Sequence, residues 1–416
     1  MTQKQSQGSA RSAGGGRRGG SSSKGVFLFL GVLLLLIAIL LCYFGYQALF
    51  REKPTPTATP APTALPTPSL AASPFAPSLP TPTPQVAVSP TPGGADWSQL
   101  YFTSPKYPDR APNHHGGLDE KLTAFINTAR QSVDIAIYQL DLDNVTQALL
   151  DAKSRGAKVR VVTDIDTLND PKENPSFKKL EQAGIPIVGG NPNAIMHDKF
   201  VVVDGKAVWT GSWNFTENDT YRYNNNGIEI PSPELAHNYT TTFEKMFKDQ
   251  KFGPNRKSGG TTPRLTIGGH RVENYFAPED KVAEKIVARL QEAKKTIHVM
   301  AFSFTDDSIG DVIRERAKAG VQISGVFETT GSETKFSEYG WMKEAGLDVW
   351  QDGNPYLMHH KVFIVDGQTV VFGSFNFSQN AETENDENLL IVDDPSLAAK
   401  FEAEFQRVYR QAREKK

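Results

Sequence analysis

Met196-His197-Asp198-Lys199-Phe200-Val201-Val202-Val203-Asp204-Gly205 recurs as Met358-His359-His360-Lys361-Val362-Phe363-Ile364-Val365-Asp366-Gly367. Beyond each Asp-Gly pair stand Gly211-Ser212-Trp213-Asn214-Phe215 and Gly373-Ser374-Phe375-Asn376-Phe377. His197 and His359, Lys199 and Lys361, Asp204 and Asp366, and Asn214 and Asn376 are all 162 positions apart, so the chain contains an internal duplication. In each copy an apolar run, an Asp-Gly pair and a second apolar run read as strand, tight turn and strand. Alternation along the first strand puts His197 with Lys199, and His359 with Lys361, on one face; His360 points the other way and reads as a neighbour.

Working outward, each copy repeats one order of elements. The first predicts a helix over 117–130, a strand over 133–138, a helix over 145–155 stopped by Gly156, and a strand over 159–162. The second predicts the same over 281–294, 297–302, 309–319 and 323–327, with Gly320 as the stop. Both copies close on a helix, 233–248 and 395–413. Strands alternating with helices of this length indicate an α/β fold built from two α/β/α repeats, over 97–254 and 262–416.

One copy supplies an imidazole, an ammonium, a hydroxyl and an amide: His197, Lys199, Ser212 and Asn214. The other supplies His359, Lys361, Ser374 and Asn376. If the repeats pack about a pseudo-two-fold axis, both sets converge on one acidic group, and phosphate fits that description. Phosphodiester substitution needs a nucleophile, a proton donor for the leaving oxygen and positive charge on the equatorial oxygens. Two histidines divide the first two tasks; the lysines and asparagines serve the third. No carboxylate-rich metal cage is visible, so no metal and no cofactor is expected. Plainer readings compete at several positions. Asp204 and Asp366 are candidates for the site, yet Asp-Gly is also hairpin-turn chemistry. Ser212 and Ser374 can be turn caps as well as phosphate donors. Trp209, Trp213, Phe215 and Phe377 read as core, and His114, His115 and His237 as surface.

The pattern His-x-Lys-x4-Asp-x6-Gly-Ser-x-Asn, present twice and complete, resembles that of the phospholipase D superfamily, and the resemblance covers about residues 97–416. It implies a pseudo-dimer in which one histidine forms a phosphohistidine. The other then protonates the leaving alcohol and activates the incoming water or alcohol. Family precedent assigns His197 as nucleophile and His359 as acid/base. The family also carries an acidic residue after the Asn that orients a catalytic histidine. Glu387 occupies that place in the second copy, whereas the first has Asn224-Asn225-Asn226-Gly227, with Glu229 beyond as the remaining candidate.

The N-terminal quarter differs in kind. Residues 1–24 are Gly, Ser and basic residues and read as a disordered tail. Val26 to Tyr46 follow without a charge, long enough at about 1.5 Å per residue to cross a bilayer core of roughly 30 Å. A transmembrane helix is therefore expected over 25–50. A cleaved signal peptide would have a shorter apolar region and a small-residue cleavage site, and a lipoprotein anchor at Cys42 would have small residues where Leu40 and Leu41 stand. Basic residues before the span place the N-terminus in the cytoplasm and the catalytic region outside it. Residues 54–95 contain 13 prolines and 8 threonines and no charged side chain, so 51–96 reads as an extended linker.

Residues 1–53 carry +6 and the whole chain −2, which leaves −8 for the repeats. An acidic catalytic region is a poor match for a non-specific nucleic-acid binder. With the anchor, this favours phospholipid headgroups as substrate. An extracytoplasmic nuclease, a phosphatidyltransferase as in cardiolipin synthesis, and a non-catalytic binding protein are the competing readings. Because both copies lie in one chain, a monomer suffices for one site.

Overall fold

The computed structural model describes residues 96–414 apart from positions 171 and 173. The basic tail, the apolar span expected over 25–50 and the Pro/Thr-rich linker to residue 95 lie outside the described residues. Among the described residues no helix is long and apolar enough to cross a membrane.

The first repeat contains β1 (Gln99–Phe102), β2 (Ser132–Ile137), β3 (Lys158–Asp164), β4 (Ile187–Gly190), β5 (Lys199–Val203), β6 (Ala207–Gly211) and β7 (Asn226–Ile230) in one sheet of order β1-β7-β6-β5-β2-β3-β4. The second contains β8 (Arg264–Ile267), β9 (His270–Ala277), β10 (Thr296–Ala301), β11 (Gln322–Phe327), β12 (Asp348–Gln351), β13 (Lys361–Val365), β14 (Thr369–Gly373) and β15 (Glu387–Asp393), ordered β12-β11-β10-β13-β14-β15-β9-β8. In each sheet three strands run parallel, joined by helices, and the strand after the histidine enters antiparallel beside the first of them. Lys199 pairs with Ile137 and Lys361 with Ala301. Each histidine therefore lies at the edge where the parallel strands end, the usual place for a site in an open α/β sheet.

Burial on both faces explains the Val- and Ile-rich strands. Val201 and Val203 join an outer core with residues of the helices Leu118–Asn127 and Asp143–Ser154. Phe200 and Val202 instead join a core shared by the two repeats, with Val362, Ile364, Tyr239, Phe243, Phe401 and Phe405. The helices Pro233–Phe247 and Pro395–Glu414 supply the last four of these, so the closing helix of each repeat lies in the seam. Leu397, Phe401, Phe405, Val408 and Ala412 recur at three- and four-residue spacing and form one buried stripe.

The Gly of each Gly-Ser pair is required by close approach of strands. A Cβ on Gly211 would lie 2.3 Å from the Asn226 carbonyl oxygen, and one on Gly373 2.3 Å from that of Asn388. Asp204 and Asp366 prove to be turn residues, which corrects their place among the catalytic candidates. Both have left-handed backbone (φ 54° and 53°) and sit at the far end of the strand from the histidine. Asp204 Oδ1 accepts from the Gln131 and Ser132 amides at 2.7 and 2.9 Å, and Asp366 Oδ1 from those of Lys295 and Thr296 at 2.7 and 2.9 Å. Each fastens its hairpin to the start of the neighbouring strand.

Candidate active site

The two histidines are stitched to opposite repeats. The His197 amide donates to the Asp386 carbonyl at 2.9 Å, and the His359 amide to the Asn224 carbonyl at 2.9 Å. Asp386 and Asn224 immediately precede β15 and the residues leading into β7, so each repeat supplies a strand end that holds the other's histidine. The rings follow the same crossing. His197 Nδ1 lies 2.8 and 2.9 Å from the two carboxylate oxygens of Glu387. His359 Nδ1 lies 3.0 Å from Asn225 Oδ1 and 3.3 Å from Asp219 Oδ1. In both rings Nδ1 is occupied and Nε2 is left for chemistry.

Lys199 and Lys361 are buried, and each donates through Nζ to the carbonyl of its own motif histidine, at 2.8 and 2.9 Å. Tyr138 and Phe302, at the ends of β2 and β10, form the walls. Lys199 Nζ lies 5.5 Å from the Tyr138 ring centre and Lys361 Nζ 4.6 Å from that of Phe302. The same rings meet His197 and His359 edge-on at 5.5 and 4.6 Å.

Electrostatics confirm that the four side chains share one place. Burial pushes the His197 imidazole well below its usual range, and the Lys199 and Lys361 charges push it further. Burial and Lys361 push His359 down to about 3, against the pull of Asp219. Burial lowers Lys199 to about 8, and burial together with the Lys199 charge lowers Lys361 strongly. Two buried cations whose charges depress both imidazoles, with Lys199 also depressing Lys361, form a site short of one anion, and the charge of an arriving phosphodiester opposes the part of these shifts that the cations cause. Among the described residues no group of three or more His, Cys, Asp or Glu side chains is disposed to hold a metal ion.

The remaining expectations divide. Ser374 Oγ donates to Glu387 at 2.6 Å and Ser212 Oγ to Asn225 Oδ1 at 2.8 Å, so both serines brace the groups that orient the histidines. Asn214 donates to Asp219 at 3.3 Å, and the side-chain oxygens of Asn214 and Asn376 are buried without a hydrogen-bond partner. Glu229 is not the orienting group for His359. It lies half-buried on β7 between Gln99 and Trp209, and its charge acts on Tyr101. Asp219, from the short helix Glu217–Tyr221, stands there instead. Burial raises its carboxyl, but His359 and the Asn214 and Thr216 donors outweigh this and hold it below the usual range. Sequence comparison of the copies carries the signal: where the second has Glu387 and Ala381, the first has Asn225 and Asp219. His114, read as surface, is mostly buried between Asp109 and Glu217 and stacks on Tyr221.

A family model described as "Cardiolipin synthase, PLD-like domain" matches residues 122–247 and again 286–409, one match in each sheet unit. The chain belongs to the phospholipase D superfamily. As a phosphodiesterase of this superfamily it carries both copies of the motif within one chain, and its similarities are of two kinds. A mitochondrial cardiolipin hydrolase of Chlamydomonas reinhardtii is 34% identical over 158 residues, 38% of this chain and 71% of that protein. A phospholipase D of Rickettsia typhi is 30% identical over 135 residues, 32% of this chain and 66% of that protein. Both alignments are about one repeat long. Over a longer stretch, the crystal structure of a Haemophilus influenzae phosphatidylserine synthase covers 77% of this chain and 87% of its own, with a TM-score of 0.57 at 14% identity, and so shares the two-repeat fold.

Proposed function

We propose that this phosphodiesterase hydrolyses the headgroup phosphodiester of phospholipids through a phosphohistidine, without a metal ion. The observation that carries the reading is the crossed pair of imidazoles, each faced at Nδ1 by a carboxylate of the other repeat, with two buried lysines beside them. His197 Nε2 attacks phosphorus while its Nδ1–H donates to Glu387. As the P–N bond forms, the bond to the headgroup oxygen breaks and that oxygen takes the proton from His359 Nε2. His359 then removes a proton from water, the water oxygen attacks phosphorus, and the P–N bond breaks to release phosphatidic acid and restore His197. Lys199 and Lys361 hold the equatorial oxygens throughout.

The assignment of roles is supported by the partners. Asp219 is held ionised by several donors, which suits a histidine that must carry a positive charge before it donates. Glu387 is pushed up to about 8 by burial, opposed by Lys199, Ser374 and Asn385, which suits a partner that accepts one proton from a neutral nucleophile. Lipid as substrate is supported by the names of the relatives, by the acidic repeats and by the apolar span over Val26–Tyr46. With that span in a membrane, the N-terminus cytoplasmic and one chain forming one site, the protein acts as a monomer on the extracytoplasmic side.

The test is the full chain in EDTA, assayed in parallel against mixed phospholipid vesicles, single-stranded DNA and bis(p-nitrophenyl) phosphate, with His197→Asn and His359→Asn as controls. Release of headgroup alcohol, absent from both variants, is the expected result. Turnover of DNA alone moves the assignment to a nuclease, and loss of all turnover on chelation removes the metal-free mechanism.

A further inference from the structure

Behind His197 lies a buried charge cluster that the chemistry above does not use. Asp198 follows His197 in the chain, and Asp386 precedes Glu387; both are fully buried. Asp198 Oδ1 accepts from Asn388 Nδ2 at 2.9 Å, which ties the first repeat's motif to β15 of the second. Asp386 pairs through its backbone with both sides of Met196, donating to the Ile195 carbonyl at 3.0 Å and accepting from the His197 amide at 2.9 Å. The cation that faces these acids comes from neither motif. Arg256, in the segment joining the repeats and itself buried, has Nη1 3.0 Å from Asp386 Oδ1 and 3.6 Å from Asp198 Oδ2, with Nε 2.7 Å from Glu279. The same segment adds the Gly253 amide, 2.8 Å from Asp386 Oδ1, while Asn191 Nδ2 holds Asp386 Oδ2 at 2.9 Å.

We propose that Arg256 is a positioning residue for His197 alone: from the inter-repeat segment it clamps the residue after His197 and the residue before Glu387, and so fixes the contact between them. The one-sidedness is in the geometry. At the matching positions around His359 stand the neutral Asn224 and the imidazole His360. Asn224 Oδ1 is held by Asn354 Nδ2 at 2.8 Å. His360 lies between Asn226 at 2.9 Å and Glu404 at 3.1 Å, and Glu404 pairs with the partly exposed Arg407. A buried acid stripped of its cation is strongly unfavourable, whereas a pair of neutral replacements is tolerated. Without Arg256, Asp386 and Asp198 must take up protons or move, and either change displaces the strand end on which the His197 amide hangs. The His359 half-site shares none of these contacts.

The inference rests on the proposed role of His197 only for its activity readout. The experiment uses the full chain with 13Cε1-labelled histidine, eight residues in all, as wild type, Arg256→Met and Arg256→Met/Asp386→Asn, the last reproducing the neutral arrangement found at Asn224. In Arg256→Met the His197 ring resonance shifts while that of His359 stays. kcat for bis(p-nitrophenyl) phosphate falls on the order of 100-fold, with KM within about twofold. The double variant returns both resonance and kcat toward wild type. An unmoved His197, equal shifts of both rings, or a double variant that regains thermal stability with His197 still displaced would overturn the proposal. If Arg256→Met does not fold, Arg256→Lys, which keeps the charge but cannot span the cluster, takes its place with the same expectations. A wild type inactive on the diester removes the functional reading, and the ring resonances still decide the positioning claim.

Discussion

His197 and His359 must do opposite things with the same ring, and what separates them is the carboxylate each one meets. Below about pH 8 the buried Glu387 carboxyl is protonated, so the His197–Glu387 pair carries one proton too many for attack. Because the shift is upward, the active form grows as pH rises. For bis(p-nitrophenyl) phosphate, whose leaving group needs no proton from His359, kcat/KM is expected to climb about tenfold per pH unit on the acid side and level off near 8, and Glu387→Gln to abolish that limb. A rate falling from pH 5 to 8 contradicts the assignment. For His359, Asp219→Asn is expected to lower headgroup release on the order of 100-fold, while Glu229→Gln leaves it unchanged; steady-state assays on vesicles compare the two. The His/Lys pairs were legible because they recur at constant spacing. Asp219 was not, since its importance depends on a helix that brings position 219 beside a ring from the other repeat.

At the scale of elements, the motif separates into parts that do chemistry and parts that hold strands. Gly373 leaves no room for a methyl group against Asn388 on β15, so Gly373→Ala is expected to destabilise by about 1–3 kcal/mol through overpacking, read as a lowered thermal midpoint. Asp366 binds three amides at the start of β10, from Lys294, Lys295 and Thr296. Asp366→Ala should lose stability of about 1–2 kcal/mol with kcat per folded molecule unchanged; a selective loss of kcat would return this Asp to the site. The strands β2, β3, β10 and β11, the helices that precede and follow β2 and β10, and the two closing helices followed from apolar period and Gly stops. β1, β4, β8 and β12 did not, because edge strands such as Gln99–Phe102 alternate weakly and are defined by their partner: β1 exists through its register with β7.

For the whole molecule, catalysis depends on a seam. The closing helices and the inner faces of β5 and β13 form one apolar core between the repeats, and the Nδ1 contacts and backbone amides of both histidines cross from one repeat to the other. Phe401→Ala in that core is expected to cost about 3–5 kcal/mol and to remove activity together with the fold in denaturant titration. The pseudo-dimer was predictable from the duplication. The contents of its seam were not: Asp386 meets the His197 backbone across some 190 residues, and Arg256 enters from a segment without counterpart in the repeat. The most direct test of a single site shared by both repeats is to quench the full chain during turnover of bis(p-nitrophenyl) phosphate and map the phosphorylated residue by peptide mass spectrometry. A p-nitrophenylphosphoryl group on His197 is predicted, absent in His197→Asn and persisting longer in His359→Asn, because the first p-nitrophenolate leaves without an acid but hydrolysis of the adduct still needs the base. A label on His359 in the wild type, or on neither histidine, contradicts the account.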